Sequence, residues 1–230
     1  MDAKPHLRFP GVYIVSFDDG TRKIATRNLV PGKTVYGEQV EKIEGKEYRL
    51  WDPYRSKFSA AILNGLQTIP IKYESKVLYL GAASGTTASH ISDVVVEKGH
   101  VYCVEFAPRA IRELVNNICA FRKNVFPILA DARIPEKYRM LVQKVDNIYC
   151  DIAQPEQAKI AADNADLFLA EEGGIMLAIK AQSIDVTKKP SEIFERERDS
   201  VKARGFTIDE AVPLEPYAKA HLMIVAEKRG

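Results

Sequence analysis

The sequence predicts an α/β protein, a doubly wound and mostly parallel sheet ending in an antiparallel pair, preceded by a small β-rich unit. Three observations predict it. Beyond Lys72, five apolar runs of strand length alternate with helical segments. Only Glu215 to Ala220 separates the last two apolar runs, too short a span for a helical crossover, so they pair antiparallel if they pair. Up to about Trp51, short alternating runs are broken by turn signals. The expected division is a β-rich domain over 1–55 and a larger α/β domain over 56–230.

In order along the chain, Val12 to Phe17 reads as a strand closed by Asp18-Asp19-Gly20. Glu41 to Trp51 alternates around Glu44-Gly45 as a hairpin, and Asp52-Pro53 closes it. From Ser56 to Leu66, Phe58, Ala61, Ile62 and Leu66 fall at helical spacing, with Ser56 placed to cap. The runs Val77 to Leu80, Val101 to Val104, Val125 to Leu129, Val145 to Tyr149 and Ile175 to Ile179 are almost continuously apolar, as strands covered on both faces are. Thr207 to Leu214 and His221 to Ala226 form the closing pair. The charged run Glu192 to Arg198 mixes both signs in a helical context and reads as a solvated face.

Of the 230 residues, 46% are hydrophobic and 28% charged, and the 13 glycines and 12 prolines show no period, which excludes disordered and collagen-like classes. With 33 basic and 31 acidic residues the net charge is +2, too small to attract nucleic acid without local patches or a partner. Cys103, Cys119 and Cys150 are widely spaced with no C-x-x-C pair, so three buried reduced thiols are expected and no metal site. No apolar run has signal or membrane-spanning length, which points to a cytoplasmic protein that contacts no membrane.

The candidate chemistry sits after the strands. Gly81-Ala82-Ala83-Ser84-Gly85-Thr86-Thr87 follows the first α/β strand and opens a helix, a turn whose small residues let backbone approach a nucleotide-like ligand. Its G-x-x-x-G spacing is neither a dinucleotide fingerprint nor a Walker motif, and the less favoured alternative is a tight connection that needs glycine only for packing. Glu105, twenty residues past Gly85 and ending the next strand, can accept from both hydroxyls of a ribose, with Phe106 covering a base. Asp131-Ala132 and Asp151-Ile152-Ala153-Gln154 follow the third and fourth strands, and Asp131 can accept from an adenine amino group. Lys180, directly after a buried strand, should face a cleft or a carboxylate, and Asp151 is the expected partner. Lys57 reads most simply as a solvated helix-start residue, and His221 as a hydrogen-bonded strand end.

Five βα strands with an antiparallel closing pair resemble the seven-stranded Rossmann-like S-adenosylmethionine-dependent methyltransferase fold. Within that class, the segments Gly81 to Thr87, Val104 to Arg109, Asp151 to Pro155, Ile179 to Val186, Glu215 to His221 and Tyr48 to Pro53 closely resemble the fibrillarins over nearly the whole chain. The Gly/Arg-rich extension of eukaryotic fibrillarins does not precede these segments, so the shorter archaeal type is the expected match.

The resemblance implies methyl transfer from S-adenosyl-L-methionine to a ribose 2′-hydroxyl of rRNA or tRNA, chosen by a box C/D guide RNA. It implies a cofactor site at Gly81, Ala82, Gly85, Thr86, Thr87, Glu105, Phe106, Asp131, Ala132, Asp151, Ile152, Ala153 and Gln154, and a catalytic set of Lys57, Asp151, Lys180 and His221. Related enzymes use Glu at the fourth position, which leaves Glu215 as an alternative to His221. Lys180 is the expected base, with Asp151 orienting its amine. Implied partners are a Nop-family scaffold, a kink-turn-binding ribosomal-type protein and the RNAs, with the β-rich unit or the helix 157–169 as docking candidates. The competing readings are a non-catalytic subunit of the same particle and a nicotinamide-dependent oxidoreductase, the second disfavoured by the glycine spacing.

Overall fold

The computed structural model describes residues 1–228. Strands β1 (Asp2–Pro5), β2 (Val12–Ser16), β3 (Arg22–Arg27), β4 (Val40–Ile43) and β5 (Lys46–Leu50) form an antiparallel sheet in the order β1-β2-β3-β5-β4. The β4–β5 connection is the expected Glu44-Gly45, both at positive φ (50° and 76°), as a two-residue hairpin of matching twist requires. Helix α1 (Lys57–Leu63) follows, capped by Ser56, whose hydroxyl accepts from the Ser59 N–H.

The second sheet contains β6 (Lys76–Leu80), β7 (His100–Glu105), β8 (Val125–Leu129), β9 (Val145–Cys150), β10 (Leu169–Lys180), β11 (Phe206–Pro213) and β12 (His221–Lys228), in the order β11-β12-β10-β9-β6-β7-β8. Strands β6 to β10 pair in parallel, and β12 runs antiparallel between β10 and β11. Successive residues feed opposite cores: Val77, Tyr79 and Met176 face one, and Leu78, Leu80 and Leu177 the other. That two-sided burial is why these strands read as unbroken apolar runs. Helices α2 (Thr86–Val95), α3 (Pro108–Leu114), α4 (Gln157–Phe168), α5 (Ala181–Ile184) and α6 (Pro190–Ala203) complete the element order with a 3-10 turn at Pro135–Tyr138, and α3 passes into a π-helical turn over Val115–Cys119.

The two sheets share a core. Phe9, Val12, Ile24 and Trp51 belong to the same buried cluster as Phe58 of α1 and Ala88, Ile91 and Val94 of α2. A buried charge network reinforces this joint. Arg49 donates to Glu38 (2.6 Å), Asp93 (2.7 Å) and Ser89 (2.7 Å), and Arg122 closes on Asp93 from the other side.

Several expectations need correction. Strand β10 begins at Leu169 rather than Ile175 and breaks register before Gly174; its Glu171-Glu172-Gly173-Gly174 segment hides the start of the strand. The run Glu192 to Arg198 is not wholly solvated, because Ile193 and Glu197 are buried and Glu197 accepts from the Ala158 N–H in the first turn of α4 (2.9 Å). Cys103 and Cys150 are buried, Cys119 is only half-buried, and all three are free. Among the described residues no helix is long and apolar enough to cross a membrane.

Candidate active site

Strand order reverses between β6 and β9, and the loops after these two strands meet there, which is where open α/β sheets bind ligands. The Asp151 N–H donates to the Leu80 carbonyl (2.9 Å), locking the two loop origins together. Gly81 turns at φ 80°, and a Cβ there would sit 2.5 Å from the Asp151 carbonyl oxygen. Only glycine satisfies both conditions. Gly85, at φ 93°, is the N-cap of α2; a Cβ there would run into Leu114 and Ile118, and the residue lines neither of the two cavities that flank this turn.

Glu105 ends β7 with its carboxylate accepting from the Ala83 N–H (2.9 Å) and the Ala107 N–H (2.8 Å). Each oxygen retains acceptor capacity, since an ionised carboxylate offers roughly four lone-pair positions. Beside it lies a cavity of about 270 Å³ lined by Gly81, Glu105, Phe106, Asp131, Ala132 and the Asp151–Gln154 loop. Phe106 is 65% exposed, so it is a ring on the cavity wall and not a core residue. Asp131 is gripped by Arg133 through Nε (3.0 Å) and Nη2 (2.6 Å), a hydrogen-bonded pairing that lowers its pKa.

A second cavity, about 280 Å³, shares Gly81, Ala83, Asp151, Ile152 and Ala153 with the first. Its other walls bring together Lys57, Lys180 and His221 with Thr86 and Thr87. Glu215 does not line it; that carboxylate accepts from the Ala220 N–H (3.3 Å). Lys57 donates to both oxygens of Asp151 (2.7 and 2.8 Å), so the expected Lys180–Asp151 pair is replaced by Lys57–Asp151. The reason is positional: the first residue of α1 lies over the carboxyl end of β9, where Lys57 reaches the carboxylate. Lys180 keeps its place on the cavity wall, its backbone N–H and carbonyl clamped by the Gln157 amide (2.9 and 3.4 Å).

The His221 Nδ1 lies 2.7 Å from the Lys219 carbonyl, an acceptor only, so Nδ1 carries the proton and Nε2 is left as the ring's acceptor. Burial lowers the His221 pKa below 6.5, and the Lys57 and Lys180 charges push the same way. Thr87 donates to the Ser56 cap (3.0 Å), which ties α2 to the residue preceding Lys57.

Sequence reasoning missed Tyr79, Arg55, Arg133 and the Ser56–Thr87 link. The D-x-R spacing of Asp131 and Arg133 was the one local signal; Tyr79 is hidden inside an apolar strand.

The fibrillarin family model matches residues 3–230. A fibrillarin-like rRNA/tRNA 2′-O-methyltransferase of Pyrobaculum aerophilum is 57% identical over 230 residues, covering 100% of this chain and 98% of that protein. The crystal structure of Aeropyrum pernix fibrillarin with natively bound S-adenosyl-L-methionine superposes with a TM-score of 0.92 at 51% identity, covering 98% of both chains. Fibrillarin in a fibrillarin/Nop5p complex superposes at 0.80 with 38% identity, over 94% of this chain and 97% of that one. With the joined cavities at the sheet's reversal point, these full-length matches establish that the chain belongs to the fibrillarin family.

Proposed function

We infer that this chain is a guide-directed RNA ribose 2′-O-methyltransferase acting on rRNA and tRNA. The observation that carries the inference is the gathering of Lys57, Asp151, Lys180 and His221 in one cavity that shares the Gly81 and Asp151 walls with the cavity of Glu105 and Phe106. The cavity of Glu105 and Phe106 suits a nucleoside: a glycine cradle against a carbonyl, a carboxylate with acceptor capacity for two hydroxyls, and an exposed aromatic ring. S-adenosyl-L-methionine, when bound, supplies an activated methyl group on a sulfonium.

The chain's own residues supply position and proton transfer. A ribose hydroxyl attacks well only as its proton leaves, and the Nε2 of a neutral His221 is the acceptor that its hydrogen bonding and burial favour. Lys180, the base expected from sequence, then donates to the oxygen as negative charge develops there. Lys57 and Asp151 fix one another, so that the cavity wall is already ordered before substrate arrives.

The fibrillarin/Nop5p complex supports a Nop-family scaffold as partner here. We extend the reading to a kink-turn-binding protein and a box C/D guide RNA, to a cytoplasmic location, and to 1–55 and 56–230 as the β-rich and methyltransferase domains. The test is transfer of labelled methyl to a guide-matched RNA by the chain alone and with scaffold, kink-turn protein and guide. Transfer in the full mixture only, lost when the target ribose is 2′-deoxy, is expected. No transfer despite verified assembly and cofactor binding would leave a structural subunit instead.

A further inference from the structure

Arg55 borders two cavities. One is the cavity of Lys57, Asp151, Lys180 and His221; the other, about 510 Å³, lies against the N-terminal sheet with Arg22, Lys23, Tyr36 and Tyr54 in its wall. The balance of charge in that wall is positive. Its Glu38 is neutralised by Arg49 (2.6 Å), leaving Asp52 to set against Arg22, Lys23 and Arg55. The Arg55 guanidinium is exposed and sits 5.5 Å over the Tyr36 ring, and among the described residues no carboxylate ion-pairs with it. Beside it, Tyr54 is 69% exposed and meets Tyr217 edge-on at 5.2 Å. Tyr217 lies in the segment leading to His221, so this aromatic pair bridges the two segments that border the catalytic cavity.

A cation held by stacking on a ring, without a carboxylate partner, is poised for an external anion. We propose that Arg55 binds a phosphate flanking the target ribose and that the RNA strand continues over Tyr54 toward Arg22 and Lys23. This rests on the ribose methyltransferase reading. It also fits the chemistry of guided selection, where the target sequence varies and the enzyme must hold the strand by its backbone, not its base edges.

The test uses the reconstituted particle with guide RNA and follows single-turnover methyl transfer against RNA concentration and salt. Arg55→Gln is expected to raise the KM for target RNA about tenfold, the scale of one charge-assisted hydrogen bond. The salt dependence of log kcat/KM should become shallower by about 0.7 to 0.9, one phosphate contact's worth. Arg55→Lys should recover most of the salt slope, and Arg22→Gln with Lys23→Gln should flatten it further. A neutral methylphosphonate at one of the two flanking phosphates should abolish the difference between wild type and Arg55→Gln. An unchanged KM and slope in Arg55→Gln, or a loss that persists in full on both neutral-linkage RNAs, overturns the subsite. Failure of the wild-type particle to methylate any guide-matched RNA overturns the underlying reading instead.

Discussion

Lys57 Nζ lies 2.7 and 2.8 Å from the two carboxylate oxygens of Asp151, 94 residues further along the chain. The pair is partly sheltered, with side-chain exposures of 26% and 18%, so neither charge is fully solvated once its partner is removed. Lys57→Met and Asp151→Asn are each expected to lower methyl transfer at least about a hundredfold, the scale of lost positioning in a preorganised site. The double variant should be little worse than either single one, because both remove the same unit. Additive losses in single-turnover assays would mean that the two residues act separately.

The pH dependence should report His221. Its pKa lies below 6.5, chiefly through burial, so the ring is neutral at pH 7 and becomes charged only as the solution is acidified past that depressed value. The rate should therefore hold through pH 7 and fall along an acid limb whose midpoint lies below 6.5. His221→Gln should lose that limb and about 10²-fold or more in rate, a typical contribution of general base catalysis. A wild-type limb that survives in the variant would move the proton to another group.

Glu105 offers a test of the nucleoside cavity independent of turnover. Its two oxygens accept from the Ala83 and Ala107 N–H groups, so Glu105→Gln turns an amide NH₂ toward one of these donors. Affinity for S-adenosyl-L-methionine, read by calorimetry, should fall roughly 10- to 100-fold, the range of a lost hydrogen bond to a charged group. Undiminished affinity would place the ribose hydroxyls elsewhere.

Most of the seven-stranded sheet was legible because two-sided burial writes each strand as an apolar run, and because Gly81 and Asp151 follow their strands directly. What was not legible depends on how distant elements dock. Lys180 looked like the natural mate of Asp151, yet the placement of α1 gives that carboxylate to Lys57, a choice no local pattern records. Glu197 sits within a run of mixed charges, and only the approach of α4 turns it inward. Nothing in the local pattern of the hairpin strand marks Arg49, which is fully buried because Glu38 and Asp93 both pair with it at the sheet-to-sheet joint.

That joint carries its own pH signature. The Thr26 hydroxyl donates to Asp93 (2.8 Å), so it must accept from His90 Nδ1 (2.8 Å), and the other ring nitrogen accepts from the Tyr36 hydroxyl (2.8 Å). Burial, with the Arg49 and Arg122 charges nearby, drives the His90 pKa well below 6.5. The unfolded chain therefore takes up a proton at His90 as pH falls through 6.5 while the folded chain excludes it, so stability should decline on the acid side of that value. Denaturant unfolding at stepped pH should show a slope up to about 1.4 kcal/mol per pH unit steeper in wild type than in His90→Gln, between about pH 5 and 6.5. Arg49→Met should cost about 3 to 5 kcal/mol at neutral pH by stranding the Glu38 carboxylate in the interior. Parallel pH slopes in wild type and His90→Gln would show that the folded joint admits the proton, contrary to the hydrogen bonding that binds the two sheets.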